Sequence, residues 1–231
     1  MRYSCLLFDA DGTLFDYDWA EGQALAATLA GVGFTLRDDT REIYRRVNAA
    51  LWHRLEEGTV DAVTLRYRRF EDLFTELGLP IDAARSASEH YLVELASHGK
   101  LLPGADAVVR GLAGRARMAI ITNGLADVQR PRLGSSPLAA FFETLTISDE
   151  IGIAKPDRRI LDLTLEAMGD PTRSEVLMIG DSLSSDIQGG ENAGVDTCWF
   201  APEGAAAPDQ PSPTHTIHSL SELPAIVDGS S

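Results

Sequence analysis

The sequence is short of cysteine and of long apolar runs, and each shortage excludes a class of protein. Its 231 residues include two cysteines, Cys5 and Cys198, and both lie in apolar, strand-like runs. This pattern predicts buried, reduced thiols in a cytoplasmic protein and excludes a disulfide framework or a cysteine-based zinc site. No apolar stretch has the length needed to span a membrane, and Asp9 interrupts the early apolar run that a secretory signal would need.

Positive charge is also scarce. Lys and Arg total 20 against 35 Asp and Glu, which gives a formal net charge of −15. This deficit argues against a nucleic-acid backbone or an anionic membrane surface as a partner. A small anionic metabolite remains compatible if its site carries local positive charge, and the chain is expected to act as a monomer or a homodimer.

A buried strand near the start of the chain ends in two acids. The apolar run from Cys5 to Phe8 is followed by Asp9 and Asp11, with Gly12 as a turn signal. Residues i and i+2 of an extended chain point to the same side, so the two carboxylates should lie together. Like charges side by side repel, and each raises the pKa of the other unless a cation compensates.

The rest of the chain divides into a helical stretch and an alternating stretch. Residues 17–99 show helical periodicity in four segments, for which an antiparallel bundle is the simplest packing. From residue 100 onward, apolar strands alternate with amphipathic helices, which predicts a parallel sheet covered on both faces. The predicted fold class is therefore α/β: a Rossmann-like core of residues 1–16 and 100–231, with a four-helix domain of residues 17–99 inserted.

Pro131 interrupts the helix that is expected after Gly124. Proline removes a backbone donor and disfavours the helical conformation at the preceding Arg130. The helix should therefore kink there or stop early.

Polar residues with related chemistry follow the predicted strands or precede the predicted helices. Besides the first two acids, they are Thr122, Asn123, Lys155, Asp181 and Asp186. Four carboxylates with one ammonium would repel one another without a divalent cation, and oxygen ligands suit Mg²⁺. Beside such a metal, the lysine and the threonine hydroxyl could hold a phosphate, which is the electrostatic setting of phosphoryl transfer.

These segments resemble, in order, the four motifs of the haloacid dehalogenase-like (HAD) superfamily of phosphohydrolases. The matching segments are Asp9-Ala10-Asp11-Gly12-Thr13-Leu14, Ile121-Thr122-Asn123-Gly124, Lys155-Pro156, and Gly180-Asp181 with Asp186. The inserted helices resemble the mobile cap of this family. The resemblance covers nearly the whole chain and implies a phosphatase.

The resemblance also implies catalytic roles. Asp9 would be the nucleophile that forms an aspartyl-phosphate, and Asp11 would protonate the leaving oxygen and then activate water. Thr122 and Lys155 would act on the phosphoryl group, and Asn123 would join them in binding substrate.

The implied cofactor is Mg²⁺. Asp9, Asp11 (through its backbone oxygen) and Asp181 would hold the metal, with Asp186 in support near Lys155. The true dehalogenases of the superfamily lack an acid at the position of Asp11, so dehalogenation is not expected.

A narrower resemblance connects the chain to pyrimidine nucleoside-monophosphate 5′-nucleotidases. It rests on segments 47–52, 69–71, 147–156 and 189–194. Selection among leaving groups should fall to the cap, where the candidates are Trp52, Arg69 and the loop Glu57-Gly58-Thr59.

Three alternatives remain open at this point. One is a phosphatase for another metabolite, such as phosphoglycolate, a sugar phosphate or N-acylneuraminate 9-phosphate. A phosphomutase would keep every motif and differ in the cap. The third is a phosphate-binding module without turnover, against which the retained Asp9 and Asp11 argue, because binding alone needs no nucleophile.

Overall fold

A parallel sheet forms the centre of the α/β part of the molecule. The computed structural model describes residues 1–56, 58–201, 205 and 209–229. Within them the strands are β1 (Cys5–Phe8), β2 (Arg117–Thr122), β3 (Thr144–Ile147), β4 (Val176–Gly180), β5 (Asp196–Phe200) and β6 (His215–Ile217). They pair in the order β3-β2-β1-β4-β5-β6, and each neighbouring pair is parallel. The predicted α/β parallel-sheet fold is confirmed.

Helices account for most of the remaining described chain. They are α1 (Tyr17–Gly31), α2 (Asp38–Glu56), α3 (Ala62–Leu77), α4 (Ala84–Ser97), α5 (Ala105–Leu112), α6 (Ala126–Gly134), α7 (Ser148–Ile151), α8 (Arg158–Ala167), α9 (Gln188–Ala193) and α10 (Leu223–Asp228). None of these helices has the length and hydropathy of a membrane-spanning segment.

The sheet is buried on both faces, as the near-continuous apolar strands require. Leu6 and Phe8 of β1 face one apolar core, which α5 and α10 cover. Cys5 and Leu7 face a second core, which α8 and α9 cover. Because successive residues of a strand point to opposite faces, one short strand supplies both cores.

The chain divides into two compact units. Residues 1–17, 100–126 and 133–231 form one unit, and residues 18–99 and 127–132 form the other. The second unit has an aromatic core in which Phe70 contacts Tyr91 and Phe74, with ring centroids 5.2 and 6.1 Å apart. Asp61 caps α3, because its side chain accepts a hydrogen bond from the Thr64 backbone N–H at 2.7 Å.

Helix α6 continues through Pro131 to Gly134, so it does not stop early. Two contacts within the helical unit explain how this segment keeps its conformation. Asp127 pairs with Arg66 at 2.8 Å, and the Arg132 guanidinium donates to the Leu95 carbonyl at 2.9 Å. Tertiary contacts here outweigh the local penalty of proline.

The segment that precedes α9 forms a wider turn. Leu183–Ile187 forms one π-type turn before α9, in which the Ile187 N–H donates to the Ser182 carbonyl at 3.2 Å. Such turns often occur at functional sites. Here the turn carries Asp186.

Candidate active site

Three adjacent strands bring the first, second and fourth motifs to one edge of the sheet. β1 lies between β2 and β4, and Asp9, Thr122 and Asp181 stand at or just beyond the carboxyl ends of these strands. The Asp9 N–H donates to the Ile179 carbonyl at 2.8 Å, which continues the β1–β4 pairing by one residue. In doubly wound sheets this edge, where the strand order reverses, is where ligands bind.

Lys155 connects two of the acids. Its Nζ donates to Asp9 Oδ1 and Asp186 Oδ1, both at 2.6 Å, and to the Ile121 carbonyl at 2.8 Å. The side chain is 1% exposed, so the ammonium depends on these oxygens for the contacts that water would otherwise make. The third motif therefore places a fixed positive charge among the carboxylates.

The directions of the pKa shifts of Lys155 and Asp9 indicate that negative charge is in excess at this site. Burial alone would lower the pKa of Lys155, but Asp186 and Asp9 raise it above its ordinary value, so the amine stays protonated. Burial raises the pKa of Asp9, and Lys155 offsets this only in part, because Asp186 and Asp181 raise it further. One ammonium does not compensate the acids around it.

Asp9, Asp181 and Asp186 could hold a metal ion. Each offers one carboxylate oxygen, and these oxygens all lie within 4.8 Å of one another. Burial and the neighbouring Asp186 raise the pKa of Asp181 to about 6, although Asp181 keeps access to solvent. An all-oxygen set with unbalanced negative charge suits a hard divalent cation such as Mg²⁺.

Two glycines make room for these carboxylates. A Cβ on Gly12 would lie 2.5 Å from Asp181 Oδ2, and Gly12 also has a φ of +84°, which favours glycine. A Cβ on Gly180 would lie 2.1 Å from Asp186 Oδ2. Any larger residue at either position would displace an acid of the cluster.

Asp11 lies in the turn after β1 but not in this group of carboxylates. The turn is closed by the N–H groups of Leu14 and Phe15, which both donate to the Ala10 carbonyl at 2.9 Å. The Asp11 side chain is half-buried, and among the described residues its carboxylate is not one of the three clustered acids.

Thr122 and Asn123 differ in what their side chains contact. Thr122 is buried, and its Oγ1 accepts a hydrogen bond from the Gly124 N–H at 3.0 Å. Asn123 instead contacts the backbone of Lys155: its Nδ2 donates to the Lys155 carbonyl at 2.9 Å, and its Oδ1 accepts from the Lys155 N–H at 2.8 Å. The second and third motifs are therefore directly connected.

Comparison with known proteins identifies the family. A family model described as haloacid dehalogenase-like hydrolase matches residues 3–194, which include all four motifs. The chain belongs to this family. It is thus an HAD-like hydrolase, as its motifs predict.

Full-length relatives of this HAD hydrolase include two named pyrimidine 5′-nucleotidases. YjjG of Escherichia coli is 37% identical over 98% of this chain and 99% of its own length. PynA of Streptococcus pneumoniae is 35% identical over 99% of this chain and 96% of its own length. Among solved structures, the magnesium-bound HAD-hydrolase YfnB from Bacillus subtilis is similar, with a TM-score of 0.91 and 32% identity over 99% of this chain and 100% of that one.

The predicted specificity residues of the HAD hydrolase lie in its helical unit. Arg69 on α3 is 1% exposed, and its guanidinium carbon lies 4.8 Å from the centroid of the Tyr91 ring. Substrate contact by Arg69 stays a prediction. Trp52 on α2 is half-buried, and Gly58 and Thr59 are exposed, whereas Glu57 lies outside the described residues.

Two contacts at the site involve residues to which the sequence gives no catalytic role. The Trp199 indole N–H donates to the Asp181 carbonyl at 2.9 Å, and Thr13 Oγ1 donates to Asp181 Oδ1 at 3.3 Å. From sequence, Trp199 is simplest to interpret as a core or interface aromatic, and in the fold it is buried. Its pairing opposite Gly180 in the β4–β5 register is what brings it to Asp181, and register is not visible in the sequence.

Proposed function

We propose that this HAD hydrolase is a Mg²⁺-dependent phosphatase that hydrolyses nucleoside 5′-monophosphates and prefers pyrimidine nucleotides. The observation that carries the proposal is its likeness, over nearly the full length of both chains, to two proteins named pyrimidine 5′-nucleotidase. The clustered acids and the buried Lys155 support phosphoryl transfer as the chemistry.

In the first half of the reaction, Asp9 acts as the nucleophile. Its carboxylate oxygen attacks phosphorus, and the bond between phosphorus and the 5′ oxygen of the nucleoside breaks. Asp11 in its acid form donates its proton to that leaving oxygen. Thr122 and Lys155 hold the phosphoryl oxygens, and the product on the enzyme is an aspartyl-phosphate at Asp9.

In the second half, water removes the phosphoryl group. Asp11, now a carboxylate, accepts a proton from water as the water oxygen attacks phosphorus. The bond between phosphorus and the Asp9 oxygen breaks, inorganic phosphate leaves, and both aspartates return to their starting states. Two acids with separate roles fit a site in which Asp9 contacts Lys155 and Asp11 lies outside the carboxylate cluster.

Asp9 and Asp181, with the backbone oxygen of Asp11, are the proposed metal ligands, and Asp186 supports them through its contact with Lys155. The bound Mg²⁺ would supply the positive charge that lets a phosphate dianion approach this acidic edge. The Ser182 N–H donates to Asp186 Oδ2 at 2.9 Å, so both oxygens of Asp186 are hydrogen-bonded within the protein. This favours a supporting role for Asp186.

In this mechanism the four motifs contact the phosphoryl group and the metal, and they cannot distinguish one leaving alcohol from another. We therefore assign leaving-group selection to residues 17–99, as a helical cap. Within it, Trp52 is the candidate for contact with the base, because a half-buried indole can stack on a pyrimidine ring.

A panel of phosphomonoesters assayed for phosphate release with Mg²⁺ tests the proposal. We expect UMP, dUMP and TMP to exceed purine nucleotides, phosphoglycolate and sugar phosphates in kcat/KM. Phosphoglycolate or a sugar phosphate ranking first would overturn the nucleotidase assignment. Conversion of a sugar phosphate to its isomer without net phosphate release would indicate a phosphomutase.

Trp52→Ala should change the ranking within this panel while p-nitrophenyl phosphate, a small generic substrate, is affected much less. Trp19→Ala is the matched control, because Trp19 also lies in the helical unit and its ring packs against His98, with centroids 5.3 Å apart. An equal loss on all substrates in Trp52→Ala would mean that Trp52 does not select the leaving group.

A further inference from the structure

The Asn123 side chain forms hydrogen bonds with both the carbonyl and the N–H of the Lys155 backbone. Its amide N–H donates to the Lys155 carbonyl at 2.9 Å, and its amide oxygen accepts from the Lys155 N–H at 2.8 Å. The two contacts fix the orientation of the amide, because the opposite orientation would place oxygen against oxygen and N–H against N–H. The side chain thus holds one residue at two points.

Lys155, the residue that Asn123 contacts, is also held through its own side chain. Lys155 Nζ lies between Asp9 Oδ1 and Asp186 Oδ1, both at 2.6 Å. A displacement of its backbone would lengthen at least one of these contacts and leave a buried carboxylate without its partner. Such loss of a partner is costly where water cannot replace it.

A second amide contacts the next residue of the same loop. Asn192 on α9 donates through Nδ2 to the Pro156 carbonyl at 2.9 Å, and Gln188 Nε2 donates to Asn192 Oδ1 at 3.0 Å. This contact is exposed to solvent and is a single hydrogen bond, whereas the Asn123 contacts are partly buried and paired. Asn192 should therefore contribute less.

We propose that Asn123 is a positioning residue that acts on the phosphoryl group only through Lys155, with Asn192 as a weaker outer support of the same loop. This inference rests on the proposed role of Lys155 in phosphate binding. It replaces the direct substrate contact that the sequence predicts for Asn123, while Thr122 keeps a direct contact.

A double-mutant cycle separates the two roles. Affinity for inorganic phosphate in the presence of Mg²⁺ would be measured by calorimetry for the wild type, Asn123→Ala, Lys155→Met and the double variant. Thr122→Ala, alone and with Lys155→Met, is the comparison for a direct contact. Thermal unfolding would establish that each variant is folded.

We expect Asn123→Ala to weaken phosphate binding about 10- to 100-fold in the wild-type background and to have no further effect when Lys155 is already Met. Thr122→Ala should weaken binding in both backgrounds. Asn192→Ala should weaken binding about threefold or less. An equal effect of Asn123→Ala in both backgrounds, or no effect in the wild type, would overturn the proposal.

Lysine acylation gives a second readout that does not require Lys155→Met to fold. The sequence contains two lysines, Lys100 and Lys155, whose side chains are 51% and 1% exposed. With Lys100 as the internal standard, mass spectrometry should show faster acylation of Lys155 in Asn123→Ala than in the wild type. Thr122→Ala should leave the rate unchanged, and equal rates in Asn123→Ala and the wild type would contradict the positioning role.

These measurements do not depend on the leaving group. A wild-type protein that binds phosphate but hydrolyses no nucleoside monophosphate would count against the proposed function alone. A protein that hydrolyses nucleotides but shows equal effects of Asn123→Ala in both backgrounds would count against the positioning role alone.

Discussion

The two edges of the parallel sheet both collect ionisable side chains, but they balance charge differently. At the carboxyl edge, Asp9 and Asp186 both contact the ammonium of Lys155, and Asp181 lies in the same cluster of acids. At the amino edge, the first residue of β5, Asp196, has two donors of its own. The Arg2 guanidinium contacts its Oδ2 at 2.9 Å, and the Tyr3 hydroxyl donates to the same oxygen at 2.5 Å.

The amino edge also contains a histidine that favours its neutral form. His215, the first residue of β6, hydrogen-bonds the Tyr3 hydroxyl through Nε2 at 2.9 Å. Burial, and then the nearby Arg2, lower the pKa of His215, while Asp196 opposes this. Burial and the contact with Asp196 raise the pKa of Tyr3, so its hydroxyl stays protonated and can donate.

The difference is between a balanced cluster and one with excess negative charge. At the amino edge each group has a partner that suits its ordinary protonation state at neutral pH. At the carboxyl edge the pKa values of Asp9 and Asp181 are raised, which means that folding holds these acids together at a cost. Such imbalance is typical of functional sites, where a bound cation or substrate can offset the excess charge.

The largest expected effect concerns the proposed nucleophile, Asp9. Asp9→Asn should lower kcat by about 10⁴-fold or more, because an amide does not attack phosphorus. Asp196→Asn, which changes a carboxylate at the opposite edge, should keep turnover near the wild-type value. Phosphate release and circular dichroism would be measured side by side, and substantial activity in a folded Asp9→Asn protein would remove Asp9 from the nucleophile role.

The next effect is the dependence on metal. Dialysis against a chelator should stop hydrolysis, and Mg²⁺ should restore it. Mg²⁺ at about 100 times its Kd should also stabilise the fold by about 2.7 kcal/mol, which thermal unfolding can detect. Activity that persists undiminished in the chelator would rule out the proposed metal dependence.

The metal effect should depend on pH in a defined direction. The folded-state pKa of Asp181 is raised to about 6, so in the metal-free protein its contribution to stability is present at low pH and is lost as pH rises through that value. Bound Mg²⁺ would offset this loss of stability at higher pH, because it favours the charged carboxylates. The thermal shift caused by Mg²⁺ should therefore be larger at pH 8 than at pH 5.5, and a shift independent of pH would contradict the assignment of Asp181 as a ligand.

A smaller effect should follow from a change at the amino edge. Tyr3→Phe removes the hydroxyl that contacts Asp196 and His215, and it should lower the free energy of unfolding by about 1 to 2 kcal/mol. Urea unfolding would measure this, with kcat expected to be unchanged. Tyr67→Phe is the matched control, because the Tyr67 hydroxyl has an exposed, 3.4 Å contact with Arg85 and should cost much less. Equal costs in the two variants would show that the amino-edge contacts contribute little.

The smallest effect is the pH dependence of stability due to His215. Because its pKa is lowered on folding, its contribution is present above the unfolded pKa and is lost as pH falls through the folded value. His215→Gln should therefore lose less stability than the wild type between pH 7 and pH 5. Parallel curves for the two proteins would mean that His215 does not respond to this environment.

The sequence by itself determined the parts of this protein that depend on local pattern. The apolar run at Cys5–Phe8 predicted β1 with the bounds that the structure shows, and the acids after it marked the edge of the sheet where the candidate site lies. The motifs also identified the family, because their order along the chain is a property of sequence alone. Helix caps such as Asp61 before α3 are also local, since they act over a few residues.

Tertiary structure decided what depends on contacts between distant residues. Asn123 and Lys155 are 32 positions apart, and only the fold brings the amide of one to the backbone of the other. Arginine often binds anionic groups, but only the fold shows that the Arg69 guanidinium lies in the helical unit beside Tyr91. Helix α6 continues past Pro131 because Arg66 and Leu95, on other helices, contact its side chains. Local pattern fixes which groups a segment offers, whereas packing fixes which of them are buried, paired or left with unbalanced charge.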